Sequence, residues 1–299
     1  MAKKANTANF VEFYMLWGLV NGWQIPDFHI TVCEWLEDFS NLGLLMLPRG
    51  HAKSTILDVY NAYRLYKNAD ELILHQGATD PDAYKCSRGT QQVLEKHPLT
   101  WNKQKQRGEV VKWWIQGSSD VKHGNLHARG ILSNVTGARS TFIQNDDVET
   151  PTTTATPESR EKLRYRLSEQ VHILVPGSQR LFIGTPHSFD SLYTQIQEAG
   201  ANCLILRMFQ HEARFTSGEL EVSTTFKPEY LFSGIGTQAK LLNEYDDYKV
   251  EKREHDYLIK LTAKHNLLDV YADALWADRF TSEVMEDRRK QCNTVNEWD

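Results

Sequence analysis

LMLPRGHAKST, residues 45–55, is the stretch that decides the fold. The run Leu42–Leu47 is short and apolar, as a strand buried on both faces of a parallel sheet must be. A Pro-Arg-Gly turn follows, and from Lys53 the residues Ile56, Leu57, Tyr60, Tyr63 and Leu65 begin a helix that runs to about Asn68. Strand, turn and helix in this order have the layout of a phosphate-binding loop. In such a loop backbone N–H groups and a helix N-terminus surround the phosphates; here Lys53 would neutralise the β/γ oxygens and Ser54 would hold Mg²⁺. The fit to GxxxxGK[ST] is incomplete, because Leu47 and Ala52 occupy both glycine positions and Gly50 alone relaxes the turn. The candidate nucleotide-binding stretch is therefore Pro48, Arg49, Gly50, His51, Ala52, Lys53, Ser54 and Thr55.

Working outward, Phe10–Val20 and a segment capped by Asp27 carry apolar residues at helical spacing ahead of the first strand. Glu71–Gln76 reads as a strand and Pro81–Lys96 as a helix, and further strands are expected at 110–116, 126–132, 140–145, 179–184 and 203–208. Glu158–Val171 and Ser188–Ala199 read as helices. This alternation predicts an α/β fold with a doubly wound, mainly parallel sheet. From about Arg214 the pattern changes, and helices are expected at 249–265, at 267–275 and after the cap Thr281. The expected division is a P-loop domain over 1–212 and a C-terminal helical lid or linker subdomain over 213–299.

Composition fits this reading. With 40% apolar and 24% charged residues the chain is neither disordered nor a coiled coil, and its apolar runs are far short of the roughly 20 residues that cross a bilayer. The start MAKKANTANF has no apolar signal core, so a cytoplasmic protein with no membrane contact is expected. Cys33, Cys86, Cys203 and Cys292 are scattered without zinc spacing and read as reduced thiols. The net charge of −5 lies wholly in Leu241–Asp299, which holds 14 acidic and 9 basic residues. Between Trp101 and Gly130 six Lys/Arg face two Asp/Glu, alongside Trp113 and Trp114: a basic segment with aromatics, or a solvated β-hairpin.

Two later stretches corroborate the loop. STFIQNDDVE, from Ser140, is a strand that ends in Asp146 and Asp147 with Glu149 next, which places carboxylates at the sheet edge where open α/β folds bind ligands. One carboxylate, Asp146, is assigned to the metal, and Asp147 or Glu149 to the attacking water. RLFIGTPHS, from Arg180, is a third strand, ending at Gly184, Thr185 and Pro186, where a small hydroxyl can sense the γ-phosphate.

Taken in order, PRGHAKST, TGARSTFIQNDDVE and IGTPHSFDSLY resemble the ATPase domain of tailed-phage large terminase subunits, from about Trp23 to Arg289. The resemblance implies a P-loop NTPase of the ASCE/RecA-like type, with ATP and Mg²⁺ as cofactors. It places Lys53 with Ser54 or Thr55 in the Walker A loop, Arg49 as the loop's arginine, Asp146 and Asp147 in Walker B and Thr185 in the coupling motif. It implies an arginine acting on a neighbour's ATP, with Arg139 preferred over Arg129, and adenine contacts near Trp23 and His29. Where many relatives carry glutamate directly after the Walker B aspartate, this chain has Asp147 and then Glu149.

The implied partners are double-stranded DNA, the portal of the procapsid and the small terminase subunit. Self-association into a ring, taken as a pentamer, is implied during packaging, with a monomer in isolation. The site of action is the host cytoplasm at the procapsid portal. DNA contacts are assigned to Lys103, Lys105, Arg107, Lys112 and Lys122, through phosphates. The stretch ALWADRFTSEVMEDRRKQC resembles the family's lid, and acidic residues lying on apparent helices lead to the expectation that no nuclease domain is present. Two other functions fit the same motifs: a helicase-like, DNA-stimulated P-loop ATPase, and a DNA-binding module that holds nucleotide without hydrolysing it.

Overall fold

Strand and helix alternate as the apolar pattern around Lys53 requires in the computed structural model, which describes residues 7–185, 191–216 and 221–298. They fall into two compact units, Met1–Leu206 and Arg207–Asp299. In chain order the first contains α1 (Phe10–Asn21), α2 (Asp27–Asp38), β1 (Leu42–Met46), α3 (Lys53–Lys67), β2 (Ile73–Gly77), α4 (Asp80–Lys96), β3 (Lys105–Glu109), β4 (Lys112–Ile115) and β5 (Leu126–Gly130). It continues with β6 (Ser140–Asp146), α5 (Pro151–Thr154), α6 (Pro157–Glu169), β7 (Leu174–Gly184), α7 (Leu192–Glu198) and β8 (Asn202–Ile205).

The strands form one sheet in the order β3-β4-β5-β2-β6-β7-β1-β8. Neighbours from β5 to β8 run parallel, and β3 and β4 add an antiparallel hairpin at one edge. The expected α/β, mainly parallel sheet is therefore present. Its central strands are buried on both faces, with Leu44, Leu74, Ile143 and Phe182 all at 1% exposure or less, which is why their sequences are continuous apolar runs. The strand expected at 110–116 is observed as β4, the second arm of the hairpin, whereas its partner β3 (KQRGE), which the sequence reading did not expect, carries almost no apolar residue. Of the expected helix Ser188–Ala199, the part 192–198 is observed and 188–190 lies outside the described residues.

The second unit corrects the expectation of a helical lid. It consists largely of strands: β9 (Phe209–Phe215), β10 (Glu221–Thr224), β11 (Tyr230–Ser233), β12 (Lys240–Leu241), β13 (Tyr248–Lys252), β14 (Tyr257–Leu261) and β15 (Leu268–Ala274), followed by α8 (Ser282–Gln291) and α9 (Val295–Trp298). They make two antiparallel sheets, β12-β11-β15-β9 and β10-β14-β13. The charges at 249–260 that suggested a helical surface are cross-strand partners, as Lys260 Nζ with Glu251 Oε2 at 2.6 Å shows. Only the last helix is where it was expected, capped by Thr281.

The acidic residues of this tail are likewise not confined to a solvated helical face. Asp269 on β15 is 1% exposed and sits between two arginines, with Arg214 Nε on Oδ1 and Arg289 Nη2 on Oδ2, each at 2.6 Å. Arg289 is itself fully buried and donates through Nε to Gly234 O at 2.8 Å, fastening α8 to the sheet. Removing one partner of a buried pair strands the other charge away from water. Arg289→Met is expected to destabilise this unit by about 3 kcal/mol in urea unfolding, far more than the exposed pair Glu251–Lys260 would cost.

Candidate functional site

Strand order brings the three motifs together. β7 lies between β1 and β6, with Met46 beside Gly184 and Asp146 beside Ile183, so the C-terminal ends of the three strands are level. From β1 the chain enters the loop 47–52, in which Gly50 has φ +80° and Ala52 has φ +63°, ψ +22°. Ala52 thus holds the left-handed conformation that the motif's second glycine normally supplies. Two such turns aim backbone N–H groups into a concavity suited to an anion, at a strain cost that functional loops commonly carry. His51 is fully buried behind the loop, its Nδ1 3.2 Å from Arg49 O and its ring 5.6 Å from that of Phe28.

Lys53, the first residue of α3, is 9% exposed, and its Nζ donates to Thr185 Oγ1 at 3.1 Å and pairs with Asp147 Oδ1 at 3.5 Å. Thr185 Oγ1 also lies 3.4 Å from Leu47 O, at the start of the loop 47–52. Asp147, half exposed, has φ +69°, a second left-handed non-glycine residue at this edge. Lys53, Thr185 and Asp147 are therefore in one cluster.

Asp146 stands beside them. Its Oδ1 is buried and makes no hydrogen bond among the described residues. Burial, and secondarily the charge of Asp147, pushes its carboxyl up to about 7, against the pull of Lys53. Its neighbour Asn145 is fixed from behind: Gln170 Nε2 donates to Asn145 Oδ1 and to Gln76 Oε1, each at 2.6 Å. A buried carboxylate oxygen lacking a donor suits a divalent cation. Among the described residues no three His, Cys, Asp or Glu side chains are grouped to hold a metal alone. Mg²⁺ fits this donor set, since it takes one or two protein oxygens and completes its shell with phosphate and water. Asp146 and the exposed Ser54 hydroxyl on the first turn of α3 are the residues that would hold it.

Other predicted residues are placed differently. Glu149 is fully buried, and its Oε2 accepts from Ser191 Oγ at 3.0 Å and Leu192 N at 2.7 Å, at the start of α7. Sequence reasoning missed this partnership, although Ser191 before an apolar run is a readable N-cap. Arg129 is engaged within the chain, its Nη1 3.8 Å from Asp80 Oδ2. Arg139 is exposed in the loop between β5 and β6. Trp23 is 39% exposed in the α1–α2 connection, while His29 is buried and its Nδ1 meets the Tyr14 hydroxyl at 3.0 Å. Thr55 follows Ser54 on α3, and Arg49 is exposed on the loop.

The basic segment forms the edge hairpin. Lys105 and Arg107 are on β3, Lys112 is on β4, and Lys103 and Lys122 are in flanking loops. Trp113 is fully buried and donates to Ser87 Oγ at 2.8 Å, whereas Trp114 carries the Arg107 guanidinium over its ring at 4.5 Å. Lys112 pairs in register with His127 on β5, and the His127 imidazole is pushed down to about 4 by burial and by the charges of Lys112 and Arg129.

The chain is 25% identical over 197 residues to the large terminase subunit of Enterobacteria phage T3, covering 64% of this chain and 34% of that protein. The resemblance drawn from the motifs is thus matched by a curated relative, of whose length this chain spans about a third. No family model matches the chain. Among solved structures, the N-terminal domain of the phi29 DNA packaging ATPase is similar with a TM-score of 0.40 at 15% identity, over 57% of this chain and 85% of that one. The large terminase ATPase domain of Thermus phage P74-26 is similar with a TM-score of 0.40 at 14% identity, over 60% of this chain and 71% of that one. Yeast Dbp5 gives 0.43 at 10% identity, over 67% and 52%.

Two outcomes follow from the strain and the burial. Ala52→Gly is expected to raise stability by about 0.5–1 kcal/mol in chemical denaturation, the left-handed strain relieved outweighing the added freedom of the unfolded chain. Asp146 binds its proton more tightly in the folded chain, so its contribution to stability is intact below about pH 4 and is lost as pH rises toward 7. In metal-free buffer, Asp146→Asn should melt above the parent at pH 8 and level with it at pH 4; equal melting at pH 8 would contradict the assignment.

Proposed function

We propose that this chain hydrolyses ATP with Mg²⁺ and is the motor part of a large terminase that drives double-stranded DNA into a procapsid. The observation that carries the reading is the meeting of Lys53, Thr185, Asp146 and Asp147 at the level ends of three adjacent strands. Similarity to the phage T3 large terminase subunit supports the packaging role.

The chemistry follows from the side chains. Backbone N–H groups of the loop 48–52 receive the phosphates, and Lys53 turns from Asp147 and Thr185 to the β/γ oxygens. Asp147, released from its ion pair and half exposed, then orients and accepts a proton from the attacking water. Thr185 loses its contact with Lys53 when nucleotide arrives and regains it when phosphate leaves, which reports occupancy to β7. Asp146 and Ser54 would hold Mg²⁺, which when bound would offset the charge that builds on the phosphates. Arg139 is exposed and is assigned to the neighbouring subunit's ATP in a ring, with Arg129 held back by Asp80. Trp23 is the better-placed adenine contact, being exposed where His29 is buried.

DNA is gripped through its phosphates by the edge hairpin, with Lys103, Lys105, Arg107, Lys112 and Lys122, in a sequence-independent and salt-sensitive way. Burial is the main reason that the His127 imidazole is held down, and the charges of Lys112 and Arg129 add to it. The unit 207–299 serves as a lid or linker. The portal, the small terminase subunit and further copies of the chain are the partners this role requires, at the procapsid in the host cytoplasm.

Lys53→Ala is expected to cut ATP turnover at least a hundredfold, as loss of a transition-state cation does (about 10² or more), while the melting curve keeps its shape. An unchanged rate would refute the site. Arg139→Ala chains mixed with Lys53→Ala chains should recover part of the DNA-stimulated rate if the arginine acts in trans.

A further inference from the structure

Glu149 lies two residues beyond Asp147, yet its carboxylate is turned away from solvent and engaged with α7. One oxygen, Oε2, accepts both the Ser191 hydroxyl and the Leu192 amide. A carboxylate that is fully buried, with one oxygen already accepting two hydrogen bonds from the start of α7, is not placed within hydrogen-bond reach of a water arriving from solvent. Asp147, by contrast, is half exposed and its carboxylate pairs with Lys53.

The other side of α7 rests on β7. The Tyr193 hydroxyl occupies the space beside Gly184, where an added Cβ would come within 1.9 Å of it, and lies 3.5 Å from Ile183 O. Val148, Phe182, Leu192 and Tyr193 share one apolar cluster. The contacts close a circuit: Lys53 to Thr185, its neighbour Gly184 to Tyr193, Ser191 and Leu192 to Glu149, and from that segment Asp147 back to Lys53.

We infer that Glu149 is a positioning residue that clasps α7 to the carboxylate-bearing end of β6, so that occupancy sensed at Lys53 and Thr185 moves α7 together with Asp147. The inference rests on the ATP-hydrolysing reading for its functional half and on the hydrogen bonds alone for its structural half. It separates the two candidate water-activating groups: Asp147 touches the reacting water, and Glu149 acts through α7.

The test compares Glu149→Ala with Glu149→Gln in the full chain, reading ATP turnover and amide exchange of Leu192–Glu198. The alanine variant should lose about tenfold in kcat with KM for ATP unchanged, and its α7 amides should exchange about tenfold faster. The glutamine variant keeps an oxygen that accepts both bonds, so both readings should stay within about threefold of the parent. If the alanine variant fails to fold, Ser191→Ala removes one of the two bonds and should show the same paired changes at smaller amplitude. Equal loss of turnover in both Glu149 variants with α7 protection unchanged would make Glu149 the proton acceptor and overturn the inference. Unchanged exchange in Glu149→Ala overturns the clasp whatever the turnover. A parent chain without ATP turnover would refute the hydrolysis reading, and the exchange comparison would still decide the clasp.

Discussion

The Lys53 ammonium, nine-tenths buried between the Thr185 hydroxyl and the Asp147 carboxylate, sets conditions that much of the first unit must meet. A buried cation needs an anion and hydrogen-bond acceptors close by, or its desolvation is uncompensated. Here the partners come from the ends of β6 and β7, about 90 and 130 residues along the chain, so β7 has to lie next to β1, β6 next to β7, and all three have to end level. Two non-glycine residues in left-handed backbone, Ala52 and Asp147, flank the same contact. Such strain persists only where packing on all sides over-determines the conformation.

The central strands were legible because burial on both faces writes itself as a continuous apolar run, and α3 and α4 because one face of each meets the sheet. The strand β3 was not, since KQRGE lies at an edge and buries almost nothing. The second unit misled for a related reason. Glu251 and Lys260, nine residues apart, would not share a helical face; they pair diagonally across strands brought together by a turn at 253–256. Similarly, β15 is buried by β9 and β11, which precede it by tens of residues, and no local period records that.

The site divides along the same line. Lys53, Asp146, Asp147 and Thr185 could be found because each ends an apolar strand or opens a helix, and their types match the charges on phosphate and metal. Glu149 stayed ambiguous because its partner Ser191 is 42 residues away. Only the fold reveals that one carboxylate of the three has its oxygen occupied. Arg129 and His29 are plausible by position, and their partners Asp80 and Tyr14 are likewise not disclosed by sequence spacing.

The large sheet has two open borders, and neither invites another strand. Along β3 the backbone is kinked at Gly108, with φ +92°, its register with β4 slips between Lys105 and Arg107, and Lys105, Arg107 and Glu109 stud its length. Along β8 there are only four residues, and the side chain of Asn202 is taken by the indole of Trp35. Charged, bent and short borders resist the backbone pairing by which exposed sheets polymerise. At this sheet, therefore, a second copy of the chain could make contact through side chains but would find no ready backbone ladder to extend.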